Sequence, residues 1–195
     1  MNHGARIATL LSGGLLLLQL TGCAVDPLQV PRASAINSAK LKDANFTPAA
    51  IDTFKLDPAR NPGMDKILII RAGTVAPPTG STFSQYLRDT LKVELESAGL
   101  YDPAAKTVIT GTLTTSEVDT SAFRPAEGKL GARFGVTRDG VTRYDRTLNV
   151  QTTWANVFDG SEAIPIARGQ YEVLYKRLVG ALFDDPDFRK AMSKE

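Results

Sequence analysis

The sequence predicts an α+β protein: a two-layer sandwich in which two main helices cover one face of an antiparallel-rich sheet of 4–5 strands. Three observations predict it: an amphipathic helix in the middle of the chain, a long β-hairpin after it, and a second amphipathic helix near the end. Each helix carries a single apolar stripe, which the face of a sheet can cover. A short C-terminal helix is expected to close the fold.

The first strands are predicted before the helices. Asn45 to Leu56 holds four large apolar residues and a proline, a pattern that an edge strand tolerates. Asp57 to Gly63 contains Asn-Pro-Gly and predicts a turn. The continuous apolar run from Lys66 to Arg71 is typical of a strand that is buried on both faces. We therefore expect this strand near the middle of the sheet.

The first main helix has clear start and stop signals. Thr82 and Gln85 fit a capping box, in which each side chain accepts a hydrogen bond from the other residue's backbone. Gly99 is typical of the left-handed residue that follows a helix. Between these signals lies one apolar stripe, which consists of Phe83, Leu87, Leu91, Leu95 and Ala98.

The second main helix is predicted to begin near Ser161, with Pro165 in its first turn. Its apolar stripe consists of Ile164, Ala167, Tyr171, Leu174, Leu178, Ala181 and Leu182. The acidic run Asp184 to Asp187 contains Pro186, and it is expected to end this helix and cap the last one, Phe188 to Met192. A metal or acid/base cluster is the alternative interpretation, but acidic residues are common at helix starts.

The remaining strands follow the first helix. Lys106 to Val118 is rich in Thr and Val and predicts a strand. Clean alternation of apolar and small or polar residues from Leu130 to Thr137, and again from Tyr144 to Trp154, predicts a hairpin around Asp139-Gly140.

The hairpin turn decides which side chains face each other. A two-residue turn would place Phe134 opposite Asp145. A three-residue loop that includes Arg138, with Gly140 left-handed, places Phe134 opposite Tyr144 and pairs apolar residues on one face. We expect the second register, because register follows the apolar pattern.

The N-terminus has the parts of a secretory signal: Arg6, an apolar run of about 14 residues and small residues at its end. The run is shorter than the roughly 20 residues of a membrane-spanning helix. The apolar run ends at Leu20-Thr21-Gly22-Cys23, which resembles the lipobox of bacterial lipoproteins. The resemblance implies cleavage before Cys23, a diacylglycerol thioether on its sulfur and an N-acyl chain such as palmitate. An ordinary signal peptide with a chance cysteine is the alternative.

The position after the lipobox carries Ala24 rather than the Asp that lipoproteins retained at the inner membrane carry. The resemblance therefore implies a lipid anchor in the periplasmic face of the outer membrane. Residues 1–22 would be removed, and residues 23–44, rich in Ala, Ser, Asn and Pro, predict a lipidated cysteine followed by a flexible tether. Its first 17 or so residues could span at most roughly 60 Å. Residues 45–195 are predicted to form a single periplasmic domain.

The inventory of side chains excludes several kinds of chemistry. The sequence has one histidine, His3, within the predicted signal, and one cysteine, Cys23, within the lipobox. A mature chain without imidazole or free thiolate has no typical zinc ligands and no Cys-His or Ser-His nucleophile. We expect no enzyme activity, no metal and no cofactor beyond the acyl chains on Cys23. Without Arg6, 22 Lys and Arg face 21 Asp and Glu, a balance that does not suggest nucleic acid.

A candidate site for an anion or a partner lies on the hairpin. Arg133, Arg138 and Arg143 fall on or beside it, and the planar guanidinium group suits phosphates and carboxylates. The alternative is a solvated face of mixed charge, because acidic residues lie among the arginines. Arg146 is expected on the opposite face from Arg133, which counts against one convergent site.

The order of lipobox, strand, helix, three strands and helix resembles the small outer-membrane lipoproteins of the LptE and YajG kind. The resemblance covers the chain from about residue 45 to the end and includes the run Phe83 to Leu91. It implies an assembly partner of envelope machinery rather than a catalyst. The first hypothesis is thus binding of an envelope protein or of lipopolysaccharide through a sheet face or edge strand. The second is a regulator of peptidoglycan synthesis resembling the LpoB class, and the third is a hydrolase with paired carboxylates.

Overall fold

The structure, a computed structural model, describes residues 25–71, 73–121 and 124–194. The lipobox residues Leu20, Thr21, Gly22 and Cys23 lie outside this part of the chain, and their roles stay predictions. The elements in chain order are β1 (Val25–Pro27), α1 (Ala35–Lys42), β2 (Ala50–Leu56), a 3-10 turn (Pro62–Asp65), β3 (Leu68–Ile70), β4 (Gly73–Ala76), α2 (Phe83–Ser97), β5 (Thr107–Asp119), β6 (Ala126–Arg138), β7 (Val141–Trp154), α3 (Gly160–Asp184) and α4 (Pro186–Met192).

These elements form two sheets and a helical layer. The main sheet has the order β2-β5-β6-β7, with β2 parallel to β5 and the other pairs antiparallel. The small sheet has the order β1-β4-β3, with β1 parallel to β4 and β3 antiparallel to it. Helices α2 and α3 pack against the main sheet and against each other. The predicted α+β fold class is confirmed, and the small sheet is an addition that the sequence did not reveal.

Strand β3 differs from its prediction. It lies at an edge of the small sheet, and only one of its faces is buried: Leu68 and Ile70 are 9% and 1% exposed. Ile67 and Ile69, which point the other way, are 48% and 67% exposed. A continuous apolar run does not by itself distinguish a strand buried on both faces from one that shows an apolar face to its surroundings.

The predicted hairpin register is wrong. Asp139 and Gly140 both have positive φ angles, 51° and 78°, as a two-residue type I′ turn requires. A bulge at Arg143 then shifts the pairing, so that Phe134 faces Arg146 and Val136 faces Tyr144. The bulge, rather than a longer loop, brings the apolar residues of the two strands together, and such insertions are hard to read from alternation alone.

The boundaries of α2 and α4 agree with their predicted signals, and the start of α3 differs. Thr82 and Gln85 form the complete capping box of α2, and Gly99 follows this helix with a φ of 68°. Helix α3 begins at Gly160, because Asp159 rather than Ser161 caps it, and Pro165 consequently lies inside the helix rather than in its first turn. Asp185 accepts hydrogen bonds from the backbone N–H groups of Asp187 and Phe188, so this acidic residue caps α4.

The segment predicted as a flexible tether is instead folded from residue 25 onward. Strand β1 pairs with β4, and α1 packs against both α2 and α3. The side chain of Glu94, which is fully buried, accepts hydrogen bonds from the Ser34 N–H and from the Asn37 amide at 3.0 Å each. Because α1 is held largely by such polar contacts, with Leu41 as its buried apolar residue, its composition resembled that of a tether.

A cluster of tyrosines fills the layer between α2 and α3. Tyr171 and Tyr175 are fully buried, their hydroxyl groups lie 3.0 Å apart, and Tyr171 also shares a hydrogen bond with Ser116 of β5. The hydroxyl of Tyr86 donates to the Gln29 carbonyl at 2.9 Å. Burial raises the pKa of Tyr171 to about 12, and it raises the pKa of Tyr175 well above the ordinary value. These phenols are therefore neutral at physiological pH.

The docking of α1 can be tested with Leu41→Ala. Removing this buried side chain should lower the free energy of unfolding by about 2–3 kcal/mol, because it leaves a cavity between α1 and its neighbours. The change should also make the bonds after Lys40 and Lys42 sensitive to trypsin. Ile36→Ala, at a residue of the same helix that is 72% exposed, is the matched control and should change neither quantity. Equal behaviour of the two variants would contradict a docked helix.

The buried tyrosines predict a loss of stability at alkaline pH. An unfolded tyrosine ionises near pH 10, whereas Tyr171 stays neutral in the folded state to about pH 12. Its contribution is therefore fully present below pH 10 and is lost as the pH rises through 12, with a total of about 3 kcal/mol from this residue. Urea unfolding between pH 8 and 12 should show this slope, and Tyr171→Phe should make it less steep, although Tyr175 still contributes to it. An identical slope in the variant would refute the assignment.

Candidate binding groove at the edge of the main sheet

Strand β7 forms one edge of the main sheet and is its longest strand, with 14 residues. No other strand of the described residues pairs with its outer side. Its exposed side chains beyond the bulge are polar and uncharged over much of its length, at Thr147, Asn149, Gln151 and Thr153. An edge of this kind offers a row of backbone N–H and C=O groups that an extended segment can pair with.

A groove of about 580 Å³ lies beside the first half of β7, between this strand and the C-terminal residues of the chain. Five cationic and two acidic side chains line it: Arg138, Arg143, Arg146, Lys190 and Lys194, with Asp145 and Asp187. The turn at Asp139-Gly140 and the bulge place the arginines here, while α4 contributes Lys190. The groove therefore has an excess of positive charge directly next to the free edge.

Arg138, a predicted site residue, is held by the fold itself. Its guanidinium donates to the backbone carbonyls of Ala191 and Ser193 at 2.9 and 3.0 Å, and to the hydroxyl groups of Thr47 and Thr107 at 3.3 Å each. These contacts attach the end of the chain to the main sheet. Arg138 thus builds one wall of the groove.

Arg133, also predicted, lies outside the groove. Its guanidinium forms two hydrogen bonds with the carboxylate of Asp145, and it lines a second groove of about 470 Å³ on the outer face of the sheet. The hydrogen bond from Arg133 holds the pKa of Asp145 below its usual range. Arg146 lies on the opposite face, as predicted, and forms an ion pair with Asp187. The two acidic residues of the groove are thus both paired with arginines.

Three cations of the groove are available to a ligand. Arg143, the third predicted residue, is exposed, and its guanidinium has no partner among residues 25–71, 73–121 and 124–194. The ammonium groups of Lys190 and Lys194 are likewise without a hydrogen bond or ion pair within the described part of the chain. Sequence reasoning missed both lysines, because basic residues near the end of a short helix have an ordinary explanation in the helix dipole.

This arrangement is suited to binding an anion. A general acid needs a carboxyl group with a raised pKa, whereas the pKa of Asp145 is lowered. Among the described residues, no group of three or more His, Cys, Asp or Glu side chains is arranged to hold a metal ion. The unpaired cations and the adjoining strand edge can instead hold an extended anionic segment.

The fold has relatives among solved structures. It is similar to a Xanthomonas campestris protein of the family DUF330, with a TM-score of 0.55, 10% identity, and coverage of 83% of this chain and 95% of that chain. A minor lipoprotein from Acinetobacter baumannii matches with a TM-score of 0.44 and 11% identity, over 74% of this chain and 95% of that chain. At such identities the likeness concerns the fold alone.

No family model matches the sequence, and no curated protein matches it. None of the helices in the described residues is both long enough and apolar enough to cross a membrane.

Arg138 and Arg143 should differ sharply in their effect on stability. Arg138→Ala should lower the free energy of unfolding by about 2 kcal/mol, because it removes hydrogen bonds from a charged donor to buried or partly buried acceptors. Arg143→Ala should change it by no more than about 0.5 kcal/mol, since the side chain is exposed and unpaired. Urea denaturation measures both values. A comparable loss of stability in the two variants would contradict the assignment of Arg138 to the wall of the groove and of Arg143 to ligand binding.

Proposed function

We propose that this protein is a lipoprotein anchored in the outer membrane that binds another component of the cell envelope along β7, without catalysing a reaction. The observation that carries the proposal is the coincidence of a 14-residue unpaired strand edge with the cationic groove. The lipobox supports the anchor, and the lipoprotein from Acinetobacter baumannii is named as such among the fold neighbours.

The partner that fits this site is an extended protein segment with acidic side chains. Backbone groups of the segment would add a strand next to β7, which gives affinity without much dependence on sequence. Carboxylates of the segment would then meet Arg143, Lys190 and Lys194, which give specificity and a faster approach. Phosphates of lipopolysaccharide could use the cations but not the strand edge, and for this reason we favour the protein.

The other two hypotheses have less support. A regulator of peptidoglycan synthesis must reach away from the membrane, but the chain is folded from Val25, so two residues after Cys23 reach only about 7 Å. A carboxylate hydrolase pairs a protonated carboxyl group with an ionised one, and the lowered pKa of Asp145 fits only the ionised group of such a pair.

The proposal can be tested by photo-crosslinking in the source bacterium. Replacing Arg143 with p-benzoylphenylalanine should give a discrete adduct with an envelope protein after irradiation, because this exposed position lies between the groove and the strand edge. The same residue placed at Ile36, which is 72% exposed on α1, should give none. Mass spectrometry of the adduct identifies the partner.

Charge reversal provides the second arm of the experiment. Lys190→Glu and Lys194→Glu together should reduce the adduct about tenfold, since like charges would then face the acidic segment. Lys42→Glu, an exposed lysine on α1, is the control and should leave it unchanged. No adduct at position 143 would count against the site, and an adduct with lipopolysaccharide would replace the protein as the partner.

A further inference from the structure

The small sheet exposes an apolar face. Val25 pairs with Thr74 and Thr74 pairs with Ile69, so these three side chains form a row across the sheet on the same face. Val25 and Ile69 are 53% and 67% exposed, and Ile67, which points the same way as Ile69, is 48% exposed. Val25 and Ile69 thus lie on the two edge strands, on either side of Thr74, and exposed apolar side chains of this size at both edges are unusual for a surface that only water contacts.

The opposite face of the same sheet is built for the protein interior. Leu68, Ile70 and Val75 are buried there. Asp26 extends from that side to form an ion pair with Arg168 of α3. The small sheet therefore has one face that packs against the helical layer and a second, apolar face that points outward. Packing within the fold explains the apolar side chains of the first face but not those of the outward face.

The charges around the outward face are also informative. A shallow groove that continues this face is lined by Val25, Pro27, Lys66 and Ala76, together with residues 77–81. Among these lining residues, Lys66 is the one that carries a charge. An apolar surface with a lysine at its rim suits the boundary of a phospholipid bilayer, where apolar side chains enter the acyl region and ammonium groups meet phosphates.

The short distance in sequence between Cys23 and this face indicates what the face contacts. Val25 of β1 is part of the face, and only Ala24 separates it from Cys23 in the sequence. Two residues span at most about 7 Å. If Cys23 carries acyl chains, the row that begins at Val25 is held within a few ångströms of the lipid surface.

We propose that the outward face of the small sheet, formed by Val25, Ile67 and Ile69, docks on the bilayer that holds the anchor. This inference rests on the proposed function, because it requires acylation of Cys23. The acyl chains supply the attachment, and the sheet face fixes the orientation of the domain. A phospholipid surface, rather than a second protein, is the occupant because the anchor brings it to this face in every molecule.

The experiment uses the full acylated chain in vesicles of phosphatidylethanolamine and phosphatidylglycerol, with some lipids carrying brominated acyl chains that quench tryptophan fluorescence on contact. Ile69→Trp places a reporter on the face, and Val141→Trp places one at an exposed position of the main sheet, 52% exposed in the native chain. The native chain supplies the background from Trp154. In vesicles with brominated lipids, the fluorescence that Ile69→Trp adds should be mostly quenched. The fluorescence that Val141→Trp adds should not be quenched.

A further variant tests the apolar contact itself. Ile67→Asp combined with Ile69→Trp should restore the emission, because a carboxylate next to the reporter opposes entry into the acyl region. Equal quenching of the Ile69→Trp and Val141→Trp reporters, or no restoration by Ile67→Asp, would overturn the docking surface. Intact mass and vesicle flotation are measured on the same samples. An acylated, floating protein without quenching at position 69 refutes the orientation alone, whereas an unmodified thiol refutes the anchor as well.

Discussion

The packing of α3 is the constraint on which the rest of the structure depends. One face of this 25-residue helix is buried along its length, from Ala163 to Phe183. Its first half packs against the small sheet, where Gly73 leaves room for Ile164, and its second half packs against the main sheet and α1. The tyrosine hydroxyls in the middle are satisfied within the interior. A single helix thus joins two sheets that share no strand.

This helix also separates the two surfaces proposed to bind. The outward face of the small sheet lies at the N-terminal half of α3, and the cationic groove lies beside α4, which follows its C-terminal end. About 20 residues of helix correspond to roughly 30 Å. The outward face and the groove therefore lie near opposite ends of this helix, so that a bilayer on the one leaves the other open.

The sequence revealed those features that depend on local chemistry. The capping box at Thr82, the glycine after α2 and the cap at Asp185 were readable because each uses neighbouring residues of the chain. The apolar stripes of α2 and α3 followed from periodicity. The hairpin turn was located correctly, but its register was not, because the bulge at Arg143 is a response to packing between strands.

Features that depend on distant partners were missed or misread. The segment around Asn37 looked unstructured because its stability comes from Glu94, 57 residues away, and from the backbone of α3. Of the three predicted arginines, Arg143 lies free in the groove, Arg138 became part of its wall and Arg133 pairs with Asp145 on the other face. Lys190 and Lys194 lie at the site because the folded C-terminal residues bring them next to β7.

The attachment of the chain end to the sheet through Arg138 has a practical consequence for protein engineering. Ser193 accepts a hydrogen bond from that guanidinium, and Lys194 lines the groove. An affinity tag or fluorescent fusion attached to this end of the chain would follow closely after Lys194 and would obstruct the proposed binding groove. Labels inserted at the exposed tip formed by Asp139 and Gly140 would disturb the same wall, so internal labelling on α1 is the safer choice for capturing partners.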